Sequence, residues 1–405
     1  MSSLPEVVIN IQNGGLGGVT ALADGIAGII VSGDANPSVG WVLGTAKQFF
    51  SIDEVKDAGL NAAYDTAQTT NAYKQVADFY TVAGNGAELW VMVVPKTETM
   101  EDICDAASEN AYAKALIEAA DGTIRLIGIT RIPDALYEAT VVAGIDDDVI
   151  AALTNLEALA DSKASGMEPF VGIVEGRDYQ GDTGDIEDLK GLGFNRVCSV
   201  ICGGGSATAP DTAASAGVGL LLGRLAADPV MRKPGRVLTG AIPKVAGWFS
   251  DGSKVTRGVA DALDTKGWIV MTPYPQRSGF YWGNDNTCSA ADDDYSTIVN
   301  RRVIDKAMLI CYSTYITQIM DEIEIDPETG KMDAGVVAYY QGKIDNAIAL
   351  GMSAAKEISG ASSYIDPAQN VLSSGKVVVK LSIVPVGYAK TIEVNLGFTN
   401  PALNA

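Results

Sequence analysis

The chain has 405 residues, 47% of them apolar, enough for one large α/β body with additions or for two to three ordinary domains. Its 29 basic residues face 50 acidic ones, and the formal charge of −21 repels phosphate backbones and anionic membranes at long range. Histidine is absent, which removes Ser-His-Asp and Cys-His nucleophiles, His-based zinc sites and the commonest general base.

In chain order, Glu6–Gln12 alternates, with Val7, Ile9 and Ile11 on one face and Glu6, Asn10 and Gln12 on the other, the pattern of a half-buried strand. Asn13-Gly-Gly-Leu-Gly-Gly18 follows as a flexible tether. The N-terminus lacks the basic-then-apolar pattern of a secretion signal, so a soluble protein kept in the cytosol is expected. Ile26–Val31 and Val218–Leu222 are too short, and too interrupted by glycine, for the ~20 residues that span a bilayer.

From Ala87 onward strands and helices alternate. Strands are expected at Leu89–Val94, Ile124–Ile129, Phe170–Val174, Arg196–Ile201 and Trp268–Thr272. Helices are expected around Met100–Ala119, Asp146–Ala160, Asp211–Ala227 and Val255–Leu263. Apolar strands between amphipathic helices predict a mainly parallel sheet covered on both faces.

The end of the chain differs. Tyr295–Glu322, apolar nearly all round, predicts a long buried helix, and Asp326-Pro-Glu-Thr-Gly330 a turn. A second helix over Ala334–Ile358 places Val337, Tyr340, Ile344, Ile348, Gly351 and Ala355 on one side and Lys343, Asp345 and Asn346 on the other. Two strands close the chain. Val377, Val379, Leu381 and Ile383 share one face of Lys376–Val386, and Ile392, Val394, Leu396 and Phe398 share one face of Thr391–Phe398.

Candidate chemistry is sparse. Cys198-Ser-Val-Ile-Cys-Gly-Gly-Gly-Ser206 suits a phosphate at a helix N-terminus, but it matches neither dinucleotide-binding nor P-loop spacing, and no lysine follows. A tight strand-to-helix turn is the plainer expectation. Cys104, Cys198, Cys202, Cys288 and Cys311 lack finger or ribbon spacing and are expected as free thiols, most of them buried. Asp285, Asn286 and Asp292 to Asp294 offer oxygens to calcium, yet no glutamate closes the loop. A structural junction fits better: Phe280, Tyr281 and Trp282 pack a hairpin turned at Gly283-Asn284, and the aspartates sit in the first turn of the next helix.

Lys266-Gly-Trp-Ile-Val-Met271, Gly279-Phe-Tyr-Trp-Gly-Asn-Asp-Asn-Thr-Cys-Ser289, Tyr295 and Val299-Asn-Arg-Arg-Val303 together resemble the C-terminal half of contractile tail sheath proteins. Ala213–Asp228, Pro234 and Leu238-Thr-Gly240 are similar to that family's central helix and the segment after it. The resemblance runs from about Arg196 to Phe398, carried by the order of short motifs, and Asn284-Asp285-Asn286 departs from it where many members have an arginine before the threonine.

The resemblance implies an arm strand and tether at 1–18, an α/β body at 19–275 with an inserted subdomain about 95–195, a sheath-type C-terminal domain at 276–386 and an arm strand at 387–405. It also implies that Val7, Ile9, Ile11, Ile392, Val394, Leu396 and Phe398 join neighbouring subunits by added strands, with Val377, Val379, Leu381 and Ile383 in the receiving sheet. Lys343 and Asn346 would face an inner tube. The implied partners are further copies of the chain in a helical sheath, the inner tail tube protein, and baseplate and tail-terminator proteins, with no nucleic acid, membrane insertion or cofactor. Assembly in the bacterial cytoplasm and a place in a virion tail or injection particle follow. An α/β enzyme holding a phosphorylated small molecule at Gly203–Ser206 is the competing reading, and an adhesin-like subunit polymerised by strand exchange a third.

Overall fold

The computed structural model describes residues 24–35, 41–205, 214–244 and 246–398. Val7, Ile9 and Ile11 therefore lie outside the described residues, as does Ser206.

A six-stranded sheet forms the centre, in the order Ala46–Phe49, Leu89–Pro95, Ala27–Gly33, Leu126–Ile129, Val171–Glu175 and Val197–Val200. The first is an antiparallel edge; all other neighbours run parallel. Every residue of Ala27–Gly33 is buried. A strand covered on both faces loses its polar/apolar alternation, which is why this short apolar run carries no period of two. The α/β pattern thus begins before Ala87, and the helices Ile52–Asp57, Ala62–Gln68 and Ala72–Ala83 belong to it.

Glycines set the layers. Gly28, Ile127 and Gly172 are register partners, so their side-chain positions share one face. A Cβ on Gly28 would meet Leu116 at 3.0 Å, and one on Gly172 would run into Leu156. The helices Tyr112–Ala119 and Asp147–Ser165 therefore cover this face. A Cβ on Gly128 would meet Val218 at 2.7 Å, which places the helix Val218–Ala227 on the other face. Beside it, also against the sheet, lies Ala72–Ala83, so close that a Cβ on Gly219 would strike the Gln75 carbonyl oxygen and one on Gly223 would lie 2.6 Å from that of Phe79. Only glycine at these two positions, one helical turn apart, lets the backbones touch.

Residues 95–195 supply two strands of this sheet and side chains of the same core, so they are built into the body. The helix expected over Met100–Ala119 is broken into Met100–Cys104 and Tyr112–Ala119. The Asp105 carboxylate accepts from the Ala107 N–H and the Ser108 hydroxyl from the Ala111 N–H, a turn that side-chain oxygens stabilise against helix. Of Trp268–Thr272, Ile269 bridges to Val200, while Met271–Pro273 pairs antiparallel with Phe280–Trp282. This hairpin turns between Pro273 and Phe280, not at Gly283-Asn284.

The C-terminal half has its own smaller core, joining Val303, Ala307 and Ile310 to Ile344, Ile348, Met352 and Ile358. Its first helix spans Ile298–Tyr315, directly after Thr297, so Asp292 to Asp294 sit in the turn before it rather than in its first turn. Its burial ends at Ile310: Tyr312, and Ile316 just past the helix, are exposed, contrary to burial all round. The second helix, Ala334–Ile348, buries Val337, Tyr340, Ile344 and Ile348 as the spacing predicts. It ends earlier than Ile358, in a π turn over Ala349–Ser353 where Gly351 comes up against Ile310. Ile358–Ile365 is then a strand, pairing antiparallel with Val379–Pro385. Ser359, Gly360, Ser362 and Ser363 gave it no apolar period to read.

Candidate assembly surface

The junction between body and C-terminal half is built from charges. Asp285 is 1% exposed. Its carboxylate accepts from the Val299 N–H at 3.1 Å and pairs with Lys233 at 2.5 Å, while its carbonyl accepts from the Ile298 N–H at 2.8 Å. It satisfies the open N-terminus of the Ile298–Tyr315 helix, where a negative charge also complements the helix dipole. Asn284 and Asn286 donate to Asp264, so this stretch spends its oxygens and amides on the chain itself.

One turn on, Arg301 and Arg302 point into the junction. Asp305 accepts from Arg196 at 3.2 Å and from Arg301 at 2.6 Å, all three side chains being at most 10% exposed. Arg302 donates to the carbonyls of Asp24 and Asp228, and burial pushes its guanidinium down to about 10. Lys306 lies 2.6 Å from Asp24 and 2.7 Å from Glu357; burial opposes its charge, but these two carboxylates outweigh it and raise its pKa. Arg302, together with the Arg196–Asp305 pair that Arg301 supports from one turn away on its own helix, is thus a clamp between the two halves. Asp24, Asp228 and Arg196 come from distant parts of the chain, and no local spacing announces them.

The glycine run is not a turn. Cys202–Gly205 is a strand paired antiparallel with Ala246–Phe249, and a Cβ on Gly203 would press to 3.2 Å from the Gly217 nitrogen. The next helix starts only at Val218, and its N-terminal end is occupied by its own chain. The Gln75 side-chain carbonyl accepts from the Gly219 N–H at 2.9 Å, and the buried Glu175 carboxylate from the Ala216 N–H at 2.8 Å and the Ser215 hydroxyl at 2.5 Å. A buried carboxylate already stands where a phosphate would be needed. Cys104, Cys198, Cys202 and Cys288 are buried free thiols and Cys311 is half-buried; burial pushes the Cys202 thiol up to about 12. Among the described residues no group of three or more Cys, Asp or Glu side chains is placed to hold a metal ion, and no helix is long and apolar enough to cross a membrane.

The surface features lie at the C-terminal end. In Val379–Pro385 the side chains alternate: Val377, Val379, Leu381 and Ile383 pack against the helices, while Val378 and Val384 are exposed. The hairpin has only these two strands, so its outer edges carry unpaired backbone groups among the described residues. After it the chain is tied down at Tyr388, whose hydroxyl donates to the Met231 carbonyl and whose ring lies 4.8 Å from the Lys233 ammonium. Beyond Tyr388, residues 391–398 form no strand within the chain. Ile392, Val394, Leu396 and Phe398 stand exposed at 80%, 69%, 94% and 110%. The expected closing strand therefore has no strand partner among the described residues. Lys343 is half-buried with its ammonium 4.8 Å over the Tyr339 ring, and Asn346 is exposed.

The family model described as the DUF2586 N-terminal domain matches residues 4–286, and the DUF2586 C-terminal domain matches 294–403. A protein of Haemophilus phage HP1 (strain HP1c1) named for the tail sheath is 35% identical over 94 residues, which are 22% of this chain and 25% of that protein. The match thus spans about a quarter of that relative's length. Among solved structures, a chain of the anti-feeding prophage baseplate (6-fold symmetrised) superimposes with a TM-score of 0.63 at 16% identity, covering 99% of this chain and 100% of that one. The contracted helical sheath of the same prophage gives 0.63 at 15% identity over 98% and 99%. The sheath tail protein from Desulfitobacterium hafniense gives 0.53 at 10% identity over 94% and 100%. Both halves match one family in order, and the whole chain follows the path of sheath subunits: this protein belongs to the DUF2586 family and has the fold of contractile tail sheath proteins.

Proposed function

We propose that this chain is the structural subunit of a contractile sheath. Copies stack as six-fold rings around an inner tube, and the extended assembly contracts to drive the tube through a target envelope, with no catalysis and no nucleotide. The observation that carries this reading is the pairing of a whole-chain sheath fold with an apolar C-terminal segment that has no strand partner among the described residues. Such a segment gains burial and main-chain hydrogen bonds by adding to a neighbour's sheet edge. The body at 19–275, the C-terminal domain at 276–386 and the arms at 1–18 and 387–405 are then units of one device, with Val377, Val379, Leu381 and Ile383 in the hairpin that receives the strands. Inner tube, baseplate and terminator proteins are the remaining partners. The subunit assembles in the bacterial cytoplasm and ends in a virion tail or injection particle.

Deleting Met1–Gly18 tests the arm role of Val7, Ile9 and Ile11. The truncated chain is expected to stay folded and soluble but to sediment as a small species where the full chain forms tubes or large rings. Long tubes from the truncated chain would refute the donated N-terminal strand.

Lys343 and Asn346 are the proposed tube-facing residues. Each such contact is worth about 0.2–1 kcal/mol, weak enough to release during contraction yet summed by ring multiplicity beforehand. Lys343→Glu is expected to impair assembly on tubes and to spare tube-free polymerisation. Equal loss of both would place Lys343 between sheath subunits instead.

A further inference from the structure

A cleft of about 1030 Å³ opens where the body meets the C-terminal half, bounded on one side by the arm root at Val386–Thr391. Arg236, Arg257, Lys356 and Lys390 line it, and none of the four has an ion-pair partner among the described residues. Two carboxylates share the lining, Asp261 and Asp264, and Asp264 is already engaged by Asn284 and Asn286. In a chain with 50 acidic and 29 basic residues, such a gathering of unpaired cations runs against the net charge. Met231, Val237 and Tyr274 add an apolar wall.

The complementary surface is on the same chain. Between its two C-terminal helices, Asp321, Glu322, Glu324, Asp326 and Glu328 crowd into eight residues, and none forms an ion pair among the described residues. Just before them Ile319 and Met320 are 66% and 97% exposed, Met320 at φ 66. The structure leaves an apolar tip with an acidic flank in solvent. The residues 319–328 take no part in lining their own chain's cleft.

We propose that the Ile319–Glu328 loop of one copy docks in the cleft of the next copy. Ile319 and Met320 lie on the apolar wall, and the carboxylates meet the four rim cations. The contact joins two different surfaces, so it is head-to-tail and propagates as a closed ring or a helix, the symmetry a sheath needs. It rests on the self-assembly reading above and names the surfaces that carry it. Because the pairs are at a rim, they steer and register the subunits and weaken as salt screens them.

A charge swap tests it. Arg236→Glu/Arg257→Glu/Lys356→Glu and, separately, Glu322→Lys/Glu324→Lys/Glu328→Lys are each expected to reduce pelleted polymer at least tenfold near 0.15 M salt, with unchanged melting temperature. The chain carrying all six changes is expected to recover most of that loss. A six-fold variant no better than either parent would overturn the pairing. Independently, a photo-crosslinking residue replacing Met320 in the polymerised full chain is expected to capture residues 231–237 or 257–274 of another copy. Crosslinks confined to other regions would overturn this contact while leaving self-assembly intact, whereas a wild-type chain that forms no polymer would overturn both.

Discussion

Replacing Asp305 with alanine is expected to destabilise the folded chain by about 3–5 kcal/mol, since removing one partner of a buried ion pair strands the others. Among the described residues Asp305 alone faces both Arg196 and Arg301, and without it two guanidiniums remain out of water. Arg196 keeps Asp161 at 3.1 Å and Arg301 keeps the Tyr295 ring at 4.4 Å, which favours the lower end of that range. With an unfolding entropy of about 2.1 cal/mol/K per residue, a 405-residue unit loses roughly 4–6 °C in Tm. Asp305→Asn, which keeps the shape and part of the hydrogen bonding, should fall between. A change below about 1 °C by differential scanning calorimetry for Asp305→Ala would mean that the clamp does not hold the halves together.

The second large effect leaves the monomer intact. Val394→Asp/Leu396→Asp changes two side chains that are 69% and 94% exposed, so the melting temperature is expected to move by no more than a surface substitution does, within about 0.5 kcal/mol. Polymerisation is expected to collapse. Each side chain forfeits about 1.5–3 kcal/mol of burial at the joint, together about two to four orders of magnitude in each contact's equilibrium constant. The readout is sedimentation against concentration, beside a melting curve of the same sample. Tubes at the wild-type threshold would show that these residues stay in solvent in the assembly as well. The two variants together separate folding from assembly, because Asp305 is bonded inside one chain and Leu396 is proposed to act between chains.

Local chemistry alone determined much of this protein. Periodicity placed the strands at Leu89–Pro95 and Val171–Glu175, the buried face Val337, Tyr340, Ile344 and Ile348, and the alternation through Val379–Pro385, because each of these elements buries one defined face or lies wholly within a sheet. The missing histidines and the charge narrow the chemistry whatever the fold. Other features depended on groups far apart in the chain. Ala27–Gly33 is a central strand because helices cover it from both sides, which a seven-residue window does not reveal. Cys202–Gly205 is a strand because Ala246–Phe249 lies beside it, whatever glycine prefers alone. Ile358–Ile365 pairs because its partner strand comes round to it. Asp285 and Asp305 are a helix cap and a clamp because Lys233 and Arg196 arrive from elsewhere in the chain. The Thr391–Phe398 alternation reads as a strand, and among the described residues it pairs with none. Period and composition are properties of a segment, whereas partners across a sheet, a clamp or a cleft are set by the tertiary path that brings distant residues together.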